Sequence, residues 1–277
     1  LRVAFAFLFW IAAIALFVAL IMRDVEGCAW LQRALFDVGS FWLVFVLYMT
    51  LATLCVDVIH LLFPAAKLCL WHALGFTLLL LAYGYINYRN PRIETVEIFS
   101  EKLECDNLRV VAISDVHLGH GTTRQMLEHY VEMLNSLDAD VVLIVGDLID
   151  NSIRPVRQAT MDEVLSKIRA PQGVYMALGN HEYISGVDEC LDYLSSTPIV
   201  VLRDSVAKLE SGVAIIGRDD RMNRRRATTQ ELVQQVRQLR WRCQIPLFCF
   251  QNRIFQDASL LQPPFLLQNQ SRLRHHP

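Results

Sequence analysis

The sequence predicts an N-terminal all-α transmembrane segment followed by an α/β domain. Long apolar runs fill the first 88 residues, and residues 1–86 hold only four of the 26 basic and four of the 28 acidic residues. Beyond residue 107, short β-branched-rich runs alternate with helical patterns, as in layered α/β folds. The 277 residues are 53% hydrophobic and 19% charged, against about 25% charged in an ordinary soluble domain. That average is the sum of two unlike parts, and it excludes a disordered chain or a disulfide scaffold. A net charge of −2 gives no global basic field for nucleic acid. The chain opens on Leu1 rather than Met, which predicts further sequence upstream.

Three runs are candidate spans: Val3–Met22, Ser40–Phe63 (interrupted only by Asp57) and Leu68–Tyr88. Each is long enough for roughly 30 Å of hydrocarbon at about 1.5 Å per residue. Trp30, Trp42, Trp71, Tyr85 and Tyr88 fall near the predicted span ends, where amphipathic rings suit the interface. Three spans place a 23–39 loop and the following domain on one side, with Arg23, Arg33, Arg89 and Arg92, against Arg2 and Lys67 on the other. The positive-inside rule then puts the globular domain in the cytoplasm. The seven cysteines show no metal-type spacing, which suits reduced thiols. Asp57, His60 and His72 are polar residues within the spans. They read either as a functional cluster or, as the favoured reading, as interhelical hydrogen-bonding groups near the headgroups.

After a linker at 87–92, strands are predicted at Leu108–Ser114, Val141–Val145, Val174–Leu178, Ile199–Leu202 and Val213–Ile216. Helices are predicted at Thr122–Leu137, Val156–Arg169, Val187–Ser196 and Thr228–Trp241, the first with Leu127, Tyr130, Leu134 and Leu137 on one face. Polar residues gather where three strands end: Ser114-Asp115-Val116-His117, Gly146-Asp147-Leu148-Ile149-Asp150-Asn151 and Gly179-Asn180-His181-Glu182. Ligands of α/β sheets bind beyond the carboxyl ends of strands, so these loops can converge. Carboxylate, imidazole and amide oxygen together suit Mn, Fe or Zn better than a thiolate-selected metal. Each motif alone is weak. All three at successive strand ends, 30 residues from His117 to Asp147 and 33 from Asp147 to Asn180, are hard to obtain from packing needs.

From about Asn87 to Trp241, the motifs DVH, GDLIDN and GNHE resemble those of the calcineurin-like metallophosphoesterase superfamily, in its membrane-anchored bacterial branch. Gly217-Arg218-Asp219-Asp220 looks like a further signature of that branch. The resemblance implies a four-layer α/β/β/α sandwich with a centre of two divalent metal ions. It implies that Asp115 and His117 bind the first metal, that Asp147 bridges both and that Asn180 binds the second. His181, oriented by Asp150, would stabilise the transition state or protonate the leaving oxygen. Two ions about 3.5–4 Å apart can hold a phosphoryl oxygen and neutralise developing charge. His120 is a candidate phosphate contact, although a Gly-flanked loop residue more readily faces solvent. The implied function is a phosphomonoester or phosphodiester hydrolase in the inner membrane, with a lipid or cell-envelope phosphoester as substrate and no partner protein.

The family completes its metal site with a later His and a Gly-His-x-His loop. Here no histidine lies between His181 and His275, and no glycine follows Gly217. Residues 87–220 hold 12 basic and 22 acidic residues, whereas 221–277 hold ten arginines against Glu231 and Asp257. A basic arm for nucleic acid or anionic lipid fits poorly with the apolar stretches Ile245–Phe250 and Ser259–Leu267. The favoured expectation is a replaced C-terminal third, as a frameshift would produce. The expected organisation is therefore 1–88 as three transmembrane helices, 89–242 as an incomplete metallophosphoesterase domain, and 243–277 as an aberrant or disordered tail. Activity is expected to be impaired. The alternative is a catalytically deficient metal-binding or interaction domain on the same scaffold.

Overall fold

The computed structural model describes residues 2–22, 25, 27–99, 107–238, 247–250 and 271–274. It divides into two compact units, Leu1–Arg92 and Ile93–Pro277.

The first unit is three helices: α1 (Arg2–Ile21), α2 (Ala29–Leu62) and α3 (Leu70–Arg89). Trp30–Leu62 and Leu70–Arg89 are long and apolar enough to cross a membrane, and Ala6–Ile21 is a shorter apolar helix. The expected 23–39 loop is corrected: the chain is helical again from Ala29, so Arg33 stands on α2 and pairs with Asp37 one turn on. At 34 residues, α2 is about 50 Å long, more than a bilayer core requires. Small residues make the helix contacts: Ala15, Ala19, Ala52, Ala73 and Thr77 are buried, while Phe41, Leu47, Leu54 and Leu79 face outward. That inversion suits helices packing in lipid, where close backbone approach replaces the hydrophobic drive. Gly39 is the tightest point, since a Cβ there would collide with the backbone nitrogen of Leu16. No rotamer relieves a clash with backbone. Gly39→Leu is therefore expected to separate α1 from α2, and loss of a cysteine crosslink engineered across the two helices checks it. His72 caps its own helix rather than bonding across helices: its Nδ1 accepts the Cys69 N–H at 3.1 Å.

In the second unit, β1 (Val96–Phe99), β2 (Asn107–Ile113), β3 (Val141–Val145), β4 (Val174–Ala177), β5 (Ile199–Val201) and β9 (Ser271–Arg274) form one sheet. Its order is β1-β9-β2-β3-β4-β5, with β2 to β5 parallel and β9 antiparallel to β2. A smaller sheet joins β6 (Ser205–Lys208), β7 (Ala214–Gly217) and β8 (Leu247–Phe250), with β6 antiparallel and β7–β8 parallel. Alternation along the strands builds the layers. Val142 and Ile144 of β3 pack on one side with Leu127, Val131 and Leu134 of α4 (Arg124–Ser136) and with Cys190 and Leu194 of α8 (Val187–Leu194). Val141, Leu143 and Val145 point the other way, against Leu202, Leu209, Val213 and Ile215. Ala214 and Ile216 of β7 pack with Leu232, Val233 and Val236 of α9 (Thr229–Gln238). Helix, sheet, sheet and helix follow in that order, giving the expected four-layer sandwich.

The helix predicted over Val156–Arg169 is instead α5 (Arg154–Gln158) and α6 (Met161–Leu165). Thr160 adopts φ +46 between them, and the Arg124 guanidinium caps the freed carbonyls of Ala159 and Thr160, each at 2.8 Å. Cys190 is fully buried with Sγ 3.0 Å from Ser185 Oγ, and burial pushes its thiol up to about 11. At pH 8 its thiolate fraction is about one in a thousand. Cys190 is expected to resist iodoacetamide in the folded chain, and mass spectrometry of its peptide after labelling checks this. Strands β8 and β9 lie within the stretch where an aberrant tail is expected, and the rest of that tail lies outside the described residues. His275 and His276 also lie outside them.

Candidate metal centre

The parallel pairing of β2 and β3 continues past the strand ends. His117 N–H donates to the Asp147 carbonyl at 3.0 Å, Leu118 N–H to that of Leu148 at 2.7 Å, and Asp150 N–H to that of Leu118 at 3.0 Å. Two loops rich in acids are thereby zipped together where the parallel strands end, the position at which α/β folds bind ligands.

Within these loops the backbone turns sharply. Asp115 (φ +55), His117 (φ +49) and Asp147 (φ +52, after Gly146 at +72) all occupy the left-handed region. A non-glycine residue there costs on the order of 1–3 kcal/mol, least for Asp, Asn and His. The turns gather Asp115, His117 and Asp147, whose ligand atoms lie within 4.8 Å of one another. Asp147 is buried, whereas Asp115 is largely exposed.

The third loop begins a helix rather than remaining irregular: α7 (Asn180–Ser185) starts directly after Gly179. Its N-terminal His181 N–H donates to Asp147 Oδ1 at 3.0 Å, so the candidate bridging carboxylate is held from the third motif as well. The His181 ring stands edge-on to the His117 ring, with centroids 4.4 Å apart. Asp150 Oδ1 lies 3.2 Å from His181 Nδ1 and 3.6 Å from His117 Nδ1. Of the seven predicted site residues, Asp115, His117, Asp147, Asp150 and His181 are brought together by these contacts, and Asn180 follows Gly179 as the first residue of α7. His120 is half-buried in the loop before α4 rather than fully facing solvent.

Glu182, which no metal-ligand motif singles out, is the fully buried centre of the site's scaffold. Its carboxylate accepts N–H groups from Gly179 (2.7 Å), Ile149 (2.9 Å) and Asp147 (3.1 Å), tying the second motif loop to the third. Burial pushes this carboxyl above its ordinary value, and the three donors oppose that shift. The signal was present in the sequence: a Glu three residues after Gly179 at a helix start matches the N3 position of a capping box.

The donor set fits a divalent metal. His117 Nδ1 and His181 Nδ1 are buried and make no aligned hydrogen bond, although Asp150 lies within ion-pair distance of both. Buried polar atoms are normally satisfied, and these two face a cluster of carboxylates. Asp115, His117 and Asp147 form one group able to hold an ion, and His117, Asp150 and His181 form a second. Carboxylate and imidazole together suit borderline-hard divalent ions.

The four-layer sandwich carries an acid–histidine cluster where its parallel strands end, and comparison with known proteins gives the family. The calcineurin-like phosphoesterase family model matches residues 108–253. The chain belongs to that family, whose members are metallophosphoesterases, hydrolases of phosphoester bonds. It is 38% identical over 158 residues to a "Transmembrane protein with metallophosphoesterase domain" of Danio rerio, covering 53% of this chain and 36% of the relative. It is 31% identical over 157 residues to an uncharacterized metallophosphoesterase of Helicobacter pylori strain 26695, covering 55% and 41%. The chain thus spans well under half the length of these relatives. The crystal structure of Pseudomonas putida nuclease MPE matches at 25% identity and TM-score 0.29, over 39% of this chain and 52% of that one.

Proposed function

We propose that the chain is a membrane-anchored, metal-dependent phosphoric ester hydrolase of the bacterial branch of this family, working through a two-metal centre. The observation that carries the reading is the meeting of Asp115, His117 and Asp147 within 4.8 Å, from two loops held in left-handed turns. Asp115 and His117 would hold the first ion, Asp147 would serve both, and Asn180 would contribute to the second. Two divalent ions would supply positive charge to the phosphoryl group and acidify an attacking water.

This chain's own residues then act around the ions. Asp150, 3.2 Å from His181 Nδ1, fixes which ring nitrogen faces outward. His181 is thereby placed to donate a proton to the leaving oxygen, and His120 contributes to holding the phosphate. Asp150 approaches the His117 ring as well, at 3.6 Å from its Nδ1, so it would help to orient both rings. Residues 1–88 form the anchor, 89–242 the phosphoesterase domain, and 243–277 the tail. The anchor makes lipid or cell-envelope phosphoesters at the inner membrane the fitting substrate class, with the domain on the cytoplasmic side.

The missing histidines favour reduced turnover, since no His lies between His181 and His275 to complete either ion's shell. The same observation favours a second reading, a catalytically deficient metal-binding domain. A Mn2+-supplemented assay on an activated phosphodiester and monoester tests the first reading. Hydrolysis by the chain that disappears in Asp147→Asn supports it. Equal rates in both proteins would end the two-metal proposal, and Mn2+ binding without hydrolysis selects the deficient domain.

A further inference from the structure

Helix α7 is short and weakly held by its own bonds. It has six residues, little more than one and a half turns, and a helix of that length has almost no stability of its own. Gly179 precedes it, and Gly186 (φ +101) ends it in a conformation that side chains rarely adopt. Asn180 and His181 can hold fixed directions only if something outside the helix holds it. Glu182 ties it to the motif loops. The next residue, Tyr183, ties it to a different part of the fold.

The Tyr183 hydroxyl donates to Asp219 Oδ2 at 2.7 Å. Asp219 is fully buried just after β7, in the Gly217-Arg218-Asp219-Asp220 stretch that the metal-centre reading leaves without a role. The same oxygen accepts Arg203 Nε at 2.7 Å and Asn223 Nδ2 at 2.9 Å, and Oδ1 accepts the Asp220 N–H at 2.9 Å. Arg203 closes the ring of contacts by donating to the Tyr183 oxygen at 3.0 Å and standing over the Tyr183 ring. Asp204 fixes the loop itself, accepting the Asp219 N–H at 3.0 Å and the Ala227 N–H at 2.9 Å. Burial alone would raise the Asp219 carboxyl, but the Arg203, Asn223 and Tyr183 donors hold it below its ordinary value. A buried carboxylate with this many donors has one well-defined position.

We infer that Tyr183, Asp219 and Arg203 form a positioning triad that clamps α7 to the second sheet and so sets the direction of Asn180 and His181 in the proposed metal centre. The inference rests on that reading of the site. The clamp acts as supporting groups around metal ligands generally do, where removal weakens metal binding about 10- to 100-fold.

The test uses the full chain in lipid nanodiscs, with Tyr183→Phe, Asp219→Asn, and Asp140→Asn as a control. Asp140 supports Arg109 N–H at 2.7 Å, at the opposite end of the strands, and touches nothing in α7. Mn2+ affinity is measured by titration calorimetry, and hydrogen exchange of the 179–186 segment is followed in the metal-free protein. Asp219→Asn is expected to weaken Mn2+ binding about tenfold or more, and Tyr183→Phe by less. Both are expected to speed exchange in 179–186 while the β3 amides keep their protection, and Asp140→Asn is expected to do neither. Unchanged Mn2+ affinity in both clamp variants, with the unsubstituted chain binding Mn2+, overturns the triad and leaves the metal centre standing. Unchanged exchange in 179–186 overturns the clamp whether or not metal binds. An unsubstituted chain that binds no Mn2+ overturns the metal centre and the triad's role with it.

Discussion

Asp147→Asn is expected to weaken Mn2+ binding by at least about 100-fold, the upper end of what loss of a merely supporting group costs. The residue is buried, belongs to one of the candidate ion-holding groups, and is gripped from two directions. Its backbone N–H is held by Glu182, and its Oδ1 accepts the His181 N–H. The amide is nearly isosteric and keeps an oxygen for His181, so the loops are expected to stay in place. What disappears is the negative charge and the ability of one side chain to serve two cations. Without metal the substitution is not expected to lower the melting temperature. It relieves repulsion in a neighbourhood that also holds Asp115, Asp150 and Glu182. Loss of metal affinity with unchanged metal-free stability separates a ligand from a structural residue. Calorimetric titration and a melting curve on the same preparation check both halves. A metal-free melting point well below that of the unsubstituted chain would make Asp147 a structural residue instead.

Glu182→Ala is expected to have the opposite signature, a large stability loss without any contact to metal. The carboxylate is fully buried, and its removal strands the N–H groups of Gly179, Ile149 and Asp147. Leaving buried donors unsatisfied costs about 1–3 kcal/mol each, so the total loss is on the order of several kcal/mol. For a domain of this size that corresponds to a fall in melting temperature of roughly 10 °C. Glu182→Gln keeps one acceptor oxygen but turns an NH2 toward the remaining donors, so about half the loss is expected. Thermal unfolding of the two variants beside the unsubstituted chain checks the order. A neutral Glu182→Ala would mean that the third loop is held by His181 N–H on Asp147 and by the Tyr183–Asp219 contact without Glu182.

The parts of this fold that were legible in the sequence are those whose signal is local. Val141–Val145 is five β-branched or long aliphatic residues in a row, and it forms a strand buried on both faces. The candidate ligands Asp115 and Asp147 were legible because each sits two residues after such a run. Other features depend on distant partners. Ser205–Lys208 carries little strand character, and it forms β6 by pairing antiparallel with β7. The break at Thr160 is fixed by Arg124, 36 residues away, which bonds the carbonyls a continuous helix would have used. Glu182 and Asp219 stand within local motifs, but what defines their roles is burial among donors from separate segments. In the N-terminal helical segment, composition revealed the apolar runs but not where helices begin. Gln32, Arg33 and Asp37 read as loop residues, whereas α2 already includes them.

The central claim is that the three motif loops build one binding site for two divalent ions. Counting bound Mn2+ by electron paramagnetic resonance, on the full chain dialysed at fixed free Mn2+, tests it most directly. Two ions per chain with a spin-coupled signal, reduced to at most one uncoupled ion in Asp147→Asn, is the expected result. The same count and the same signal in both proteins, or no bound ion in either, would contradict the account.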